Sequence, residues 1–133
     1  MKILLASSEL HPYSKTGGLA DVVGALAKTL ARAGHQVGVV TPLYRGVRES
    51  FPEIKPFDWH LDLPLGNRRV QAEVLTAQPM ENLTIYFVHQ AAFYQRAGVY
   101  QENSIAYPDN AGRFIFFSNC VTHLAHHLPW QPE

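Results

Sequence analysis

The run Ile3-Leu4-Leu5-Ala6 is continuously apolar, which predicts a strand buried on both faces. A loop from Ser7 to Thr16, with Pro12 inside it, comes next. Leu19, Val22, Val23, Leu26, Ala27, Leu30 and Ala33 then recur at helical spacing. Gly34 suits the position just past that helix, where positive φ is wanted. Gln36 to Thr41 reads as a second strand, stopped by Pro42. Strand, helix and strand in such close succession predict a βαβ unit and therefore a parallel sheet.

The pattern changes after Pro42. Residues 42–57 carry Pro42, Pro52 and Pro56 and read as an irregular excursion. Trp59–Leu63 and Arg69–Thr76 are strand-like and flank Pro64-Leu65-Gly66-Asn67. In the second segment Val70, Ala72 and Val74 alternate with Gln71 and Glu73, so a β-hairpin is expected. Leu83–Val88 is another strand of the buried kind. An aromatic-rich loop covers 89–107, and Asp109 stands where it can cap a last helix. That helix would bury Phe114, Phe117, Val121, Leu124 and Leu128.

Composition narrows the function. The length of 133 residues allows one domain with a real core. Charged residues make up 17%, low against about 25% for an ordinary domain, so part of this surface is expected to be covered. Eleven basic and eleven acidic residues balance, which argues against nucleic acid or an anionic membrane as partner. Cys120 is the only cysteine, so no intrachain disulfide can form. The apolar start is too short for a secretion signal, since Glu9, His11 and Pro12 interrupt it. A cytoplasmic location is the expectation.

The chemistry concentrates in Ser14-Lys15-Thr16-Gly17-Gly18-Leu19-Ala20-Asp21, between the first strand and the first helix. Ligands of open α/β sheets bind at the carboxyl ends of the strands. Paired glycines let a ligand approach the backbone and permit positive φ. A helix N-terminus offers free N–H groups and a positive dipole end, and Lys15 adds a cation. The set suits a phosphate or diphosphate. A plain tight turn explains the glycines equally well, and dipole capping explains Asp21 as well as a sugar-hydroxyl contact does. The glycine spacing is neither that of a dinucleotide fingerprint nor of a Walker A loop, and no acid ends the second strand. A dinucleotide-dependent oxidoreductase is therefore disfavoured.

Met1-Lys2-Ile3-Leu4 through Glu9, then Lys15-Thr16-Gly17-Gly18-Leu19-Ala20-Asp21-Val22, resembles the start of bacterial glycogen synthases and plant starch synthases. The resemblance continues at Leu43-Tyr44, at Phe93 to Tyr100 and at Tyr107 to Phe114, with Gln95 where many relatives carry an acid. It implies an α/β, Rossmann-like fold with a mostly parallel sheet and an inserted β-hairpin. Residues 1–133 would be the N-terminal portion of a two-domain GT-B glycosyltransferase, lacking the second, nucleotide-binding domain. It implies transfer of glucose from ADP-glucose to the non-reducing end of an α-1,4-glucan, with retention and without a cofactor. By the same resemblance Lys15 contacts the donor, and Gly17 and Gly18 give backbone contacts to its distal phosphate and glucose. Asp21 is a further donor-side candidate, and Arg96 and Tyr100 line the acceptor side. The catalytic residues are expected beyond residue 133, and this piece alone is expected to be inactive. A non-catalytic nucleotide- or glucan-binding module is the alternative.

Other clusters read more plainly. His123 and His127 share a helix face, but no third ligand or His-Glu-x-x-His pattern accompanies them, so no metal is expected. Cys120 lies among apolar residues and reads as core. Tyr94 and Tyr100 are packing residues or platforms for sugar rings. A sheet cut short would leave an edge open to self-association.

Overall fold

The computed structural model describes all 133 residues. Strand β1 (Lys2–Ala6), helix α1 (Gly18–Arg32) and strand β2 (Gln36–Pro42) form the expected βαβ unit. A single helical turn, α2 (Val47–Ser50), interrupts the excursion, and the hairpin β3 (Lys55–Leu65) and β4 (Arg68–Met80) follows. Strand β5 (Leu83–His89), the short turn α3 (Ala91–Tyr94), a small ribbon β6 (Gln101–Glu102) and β7 (Ile105–Ala106), and α4 (Asn110–His127) complete the chain.

The main sheet has the order β1-β2-β5-β4-β3. Its first three strands run parallel, and the hairpin joins β5 antiparallel at one side. The hairpin strands are longer than the alternation indicates, because the turn tightens to Gly66-Asn67 with Gly66 at φ 63°. β1 forms the other edge, with β2 its one partner strand; Glu133 N also donates to Lys2 O at 2.8 Å.

Parallel strands between two helical layers must be apolar throughout. β2 and β5 meet this with Val37, Val39, Val40, Ile85, Phe87 and Val88, all at most 2% exposed. α1 departs from its sequence pattern. It buries Ala20, Gly24, Ala27 and Ala31 and turns Leu19, Val22 and Leu26 outward, at 47%, 65% and 45% exposure. Small residues win the inner face because the helix lies close to the loop before it: a Cβ on Gly24 would stand 3.1 Å from His11 O. The helix ends as expected at Gly34, φ 92°, with His35 N bonded to Leu30 O and Gly34 N to Ala31 O.

α4 covers the opposite face of the sheet. It buries Phe116, Phe117, Cys120 and Leu124 together with Arg113, while Phe114 and Val121 are half-buried. Beyond it, the Trp130 indole lies over Gly38 of β2 and donates to Tyr86 Oη at 2.9 Å. No helix is long and apolar enough to cross a membrane.

Candidate functional site

The carboxyl end of β1 leads into the loop that carries Lys15, Thr16, Gly17 and Gly18, and α1 begins at Gly18. Gly17 is the N-cap and gives no side-chain cap to the first-turn amides. It is extended, at φ −165°, and neither it nor Gly18 has positive φ, contrary to the expectation for paired glycines. Nothing lies within 4 Å of a Cβ built on either residue. No turn geometry and no neighbouring atom of this chain therefore requires glycine at 17 or 18. The open space in front of both lies at the uncapped helix N-terminus, where an anion is favoured.

Lys15 and Asp21 form an ion pair, Nζ to Oδ2 at 2.6 Å, with both side chains about half exposed. The Lys15 hydrogen bond holds the Asp21 carboxyl below its ordinary value, and His11 Nδ1 stands 3.9 Å from Asp21 Oδ1. Two of the expected donor-side residues thus hold each other beside the glycines.

Glu9 was not among the residues singled out by the sequence, yet it organises this loop. It is 3% exposed. Its Oε1 accepts from Thr16 N and from Thr16 Oγ1, the latter at 2.9 Å, and its Oε2 accepts from Tyr100 Oη at 2.7 Å. Burial pushes the Glu9 carboxyl up, but the hydrogen bonds from Tyr100, Thr16 and the Gly17 backbone outweigh it and leave it below the ordinary value. With its one proton given to Glu9, Tyr100 Oη accepts from Ser8 Oγ at 2.6 Å, and Tyr44 Oη donates to Ser8 O at 2.7 Å. Burial raises the Tyr100 phenol to about 12, so it stays a donor at neutral pH.

Arg96 lies in the same aromatic segment as Tyr100. Its guanidinium grips Asp109 through two bonds, at 2.7 and 2.6 Å, donates to Ala92 O, and stacks 4.8 Å from the Tyr107 ring centroid. Asp109 occupies the N-cap of α4 as expected, but its carboxylate goes to Arg96 and caps no amide. Arg113, fully buried, ties the segment down from below: Nε donates to Phe93 O at 2.7 Å, and Nη1 to Val99 O and Asn110 Oδ1. Gln95 Nε2 donates to Leu43 O at 2.9 Å, a bond that a carboxylate at this position could not make.

His123 and His127 stack at 4.2 Å, and His127 Nδ1 lies 2.8 Å from His123 O. No group of three or more His, Cys, Asp or Glu side chains is placed to hold a metal. Cys120 is fully buried, and burial pushes its thiol up to about 12. The apolar-lined groove of about 380 Å³ beside Tyr13, Phe51 and Lys28 does not include Lys15, Gly17 or Gly18. The glycine loop instead lies on an open face.

Fold and loop together define a Rossmann-like α/β domain with an uncapped helix N-terminus at the carboxyl end of its first strand. The family model described as the starch synthase catalytic domain matches residues 2–133, and the chain belongs to that family. It is 37% identical to a glycogen synthase of Syntrophotalea carbinolica and 38% identical to glycogen synthase 1 of Geobacter metallireducens, in each case over all of this chain and 27% of the relative. It also resembles the solved catalytic domain of starch synthase IV from Arabidopsis thaliana bound to ADP and acarbose, with a TM-score of 0.76 and 25% identity. That match covers 94% of this chain and 25% of the other. The chain thus spans about a quarter of the proteins it matches.

Proposed function

We propose that these 133 residues are the N-terminal portion of a glycogen synthase. The whole enzyme would transfer glucose from ADP-glucose to the non-reducing end of an α-1,4-glucan with retention. The bond from glucose C1 to the diphosphate oxygen breaks, and a bond from C1 to the acceptor hydroxyl oxygen forms. The hydroxyl proton leaves with the released ADP. The observation that carries this reading is the open space at Gly17 and Gly18, which nothing within the chain accounts for.

In this reading Lys15 and the free amides of α1 meet the distal phosphate and glucose of the donor, where charge grows as the bond breaks. Asp21 steers Lys15 and is within reach of a sugar hydroxyl. Tyr100 and Arg96 shape the acceptor side, with their polar atoms committed to the protein. The groups that complete catalysis and hold the nucleotide come from the second domain, which would face the open side of the loop. The protein would act in the cytoplasm. The alternative, a non-catalytic nucleotide- or glucan-binding module, predicts binding without turnover.

The test is transfer of labelled glucose from ADP-glucose to glycogen by the full-length protein. Incorporation that stays with the glucan supports the reading; ADP or glucan binding without incorporation overturns it. The 133-residue chain alone should incorporate none.

A further inference from the structure

We propose that Glu9 is a positioning residue: it fixes the Lys15–Gly18 loop from beneath and couples it to Tyr100 in the aromatic segment. The inference rests on the function proposed above and deepens it. A surface turn needs no buried acid, and an isolated carboxylate in a protein interior is costly unless it is hydrogen-bonded. Here the acid spans elements far apart in sequence, 7 residues from Thr16 and 91 from Tyr100. Both carboxylate oxygens are used, one on each side.

The geometry gives the link a function. By taking the Thr16 amide and hydroxyl, Glu9 fixes the residue between Lys15 and Gly17, so the cation and the free amides keep one relative position. By taking Tyr100 Oη, it makes that position depend on the segment held by Arg113 and by the Arg96–Asp109 pair. Donor-side and acceptor-side walls then share one support. Tyr44, through Ser8, closes the network from β2's end. Glu9 acts through the loop, because both of its carboxylate oxygens are committed to Thr16 and Tyr100.

The experiment uses the full-length protein with Glu9→Gln, Tyr100→Phe and the double variant, followed by steady-state kinetics with ADP-glucose and glycogen. A neutral amide still accepts from Thr16, but it turns a donor toward the phenol in place of an acceptor, so the charge-assisted bond from Tyr100 is lost. Misplacing a reacting group by about 1 Å costs roughly a hundredfold, so each single variant should lower kcat by about tenfold to a hundredfold. In Glu9→Gln the loss should fall more on kcat than on glycogen KM, since Glu9 holds the loop and the Tyr100 ring is retained. The double variant should be little worse than either single one, because both break the same link. Glu9→Asp, which keeps the charge but shortens the reach, should recover part of the rate. Unchanged kcat in Glu9→Gln, or losses that simply multiply in the double variant, would overturn the proposal. A loss matched by an equal loss of folded protein, read from a melting curve, would overturn it as well. Absence of any transfer by the unaltered protein would instead defeat the proposed function.

Discussion

Lys15 Nζ lies 2.6 Å from Asp21 Oδ2, so the one cation of the glycine loop is held by a carboxylate of the first turn of α1. The pair is half exposed, which makes it a weak contributor to stability and leaves Lys15 free to turn toward a ligand. A cation that helps only ground-state binding changes KM, whereas one that meets charge developing on the leaving diphosphate changes kcat. Lys15→Ala in the full-length protein is expected to lower kcat/KM by about 2–4 kcal/mol, comparable to losing one preorganised oxyanion donor. Lys15→Arg should restore only part, since a planar fork approaches the glycines differently. Unaltered kinetics, with an unaltered melting curve, would remove Lys15 from the donor site.

Arg113 is expected to matter through stability. It is fully buried, bonds to two backbone carbonyls and one side chain, and lies 4.9 Å from the Tyr107 ring centroid. Nη2 has no partner, and no carboxylate bonds to this guanidinium. Burial accordingly lowers its pKa. Arg113→Leu leaves Phe93 O and Val99 O without donors, at about 1–3 kcal/mol each. Arg113→Lys cannot bridge the same three acceptors and should lose almost as much. Urea unfolding would measure both; a change under about 1 kcal/mol would show that the segment is held by its aromatic packing alone.

The βαβ unit, the hairpin and the last helix were legible because periodicity reports burial directly. Its failures have physical causes. On α1 the apolar stripe of Leu19, Val22 and Leu26 faces outward, because close packing selects Ala and Gly for the inner face. The cap expected of Asp109 is replaced by an ion pair with a residue that lies 13 positions away in sequence, which no local pattern encodes. Glu9 and Arg113 escape a reading by periodicity for the same reason: a buried charge is defined by its distant partners. Lys15, Gly17, Gly18 and Asp21 were legible as a candidate site because they are neighbours in sequence, and in space Lys15 and Asp21 pair beside the glycines.

The outward stripe of α1 lies on the element that follows β1, and β1 is an edge strand that Glu133 covers only at Lys2. Unpaired strand edges and apolar patches favour association. The isolated 133-residue chain is therefore expected to self-associate with rising concentration. Val22→Lys should weaken that association while leaving stability nearly unchanged, since Val22 is 65% exposed. Sedimentation velocity over a wide concentration range tests this. A single monomeric species throughout, in the unaltered chain, would show that neither β1 nor α1 seeks a partner.

Acid should destabilise the chain in two stages, and the partners of each group fix the sign. Burial lowers the pKa of His123, with the charges of His127 and His126 adding to it. The unfolded chain then binds that proton more readily, so this contribution is complete above the ordinary value of 6.5 and fades as pH falls below it. Glu9 and Asp109 are carboxyls held below their ordinary values of 4.5 and 3.8, Asp109 chiefly by the Arg96 hydrogen bond. Their contribution is complete above those values and is lost as pH falls through the still lower folded values. A shallow decline near pH 6 and a steeper one below pH 4.5 are expected in a series of melting curves. Arg96→Gln removes the main cause of the Asp109 shift. The stability gap between that variant and the unaltered chain should narrow as pH falls below 3.8, because protonated Asp109 has nothing left to gain from Arg96. A gap of constant size from neutral pH down would show that Arg96 acts only through Ala92 O and the Tyr107 ring.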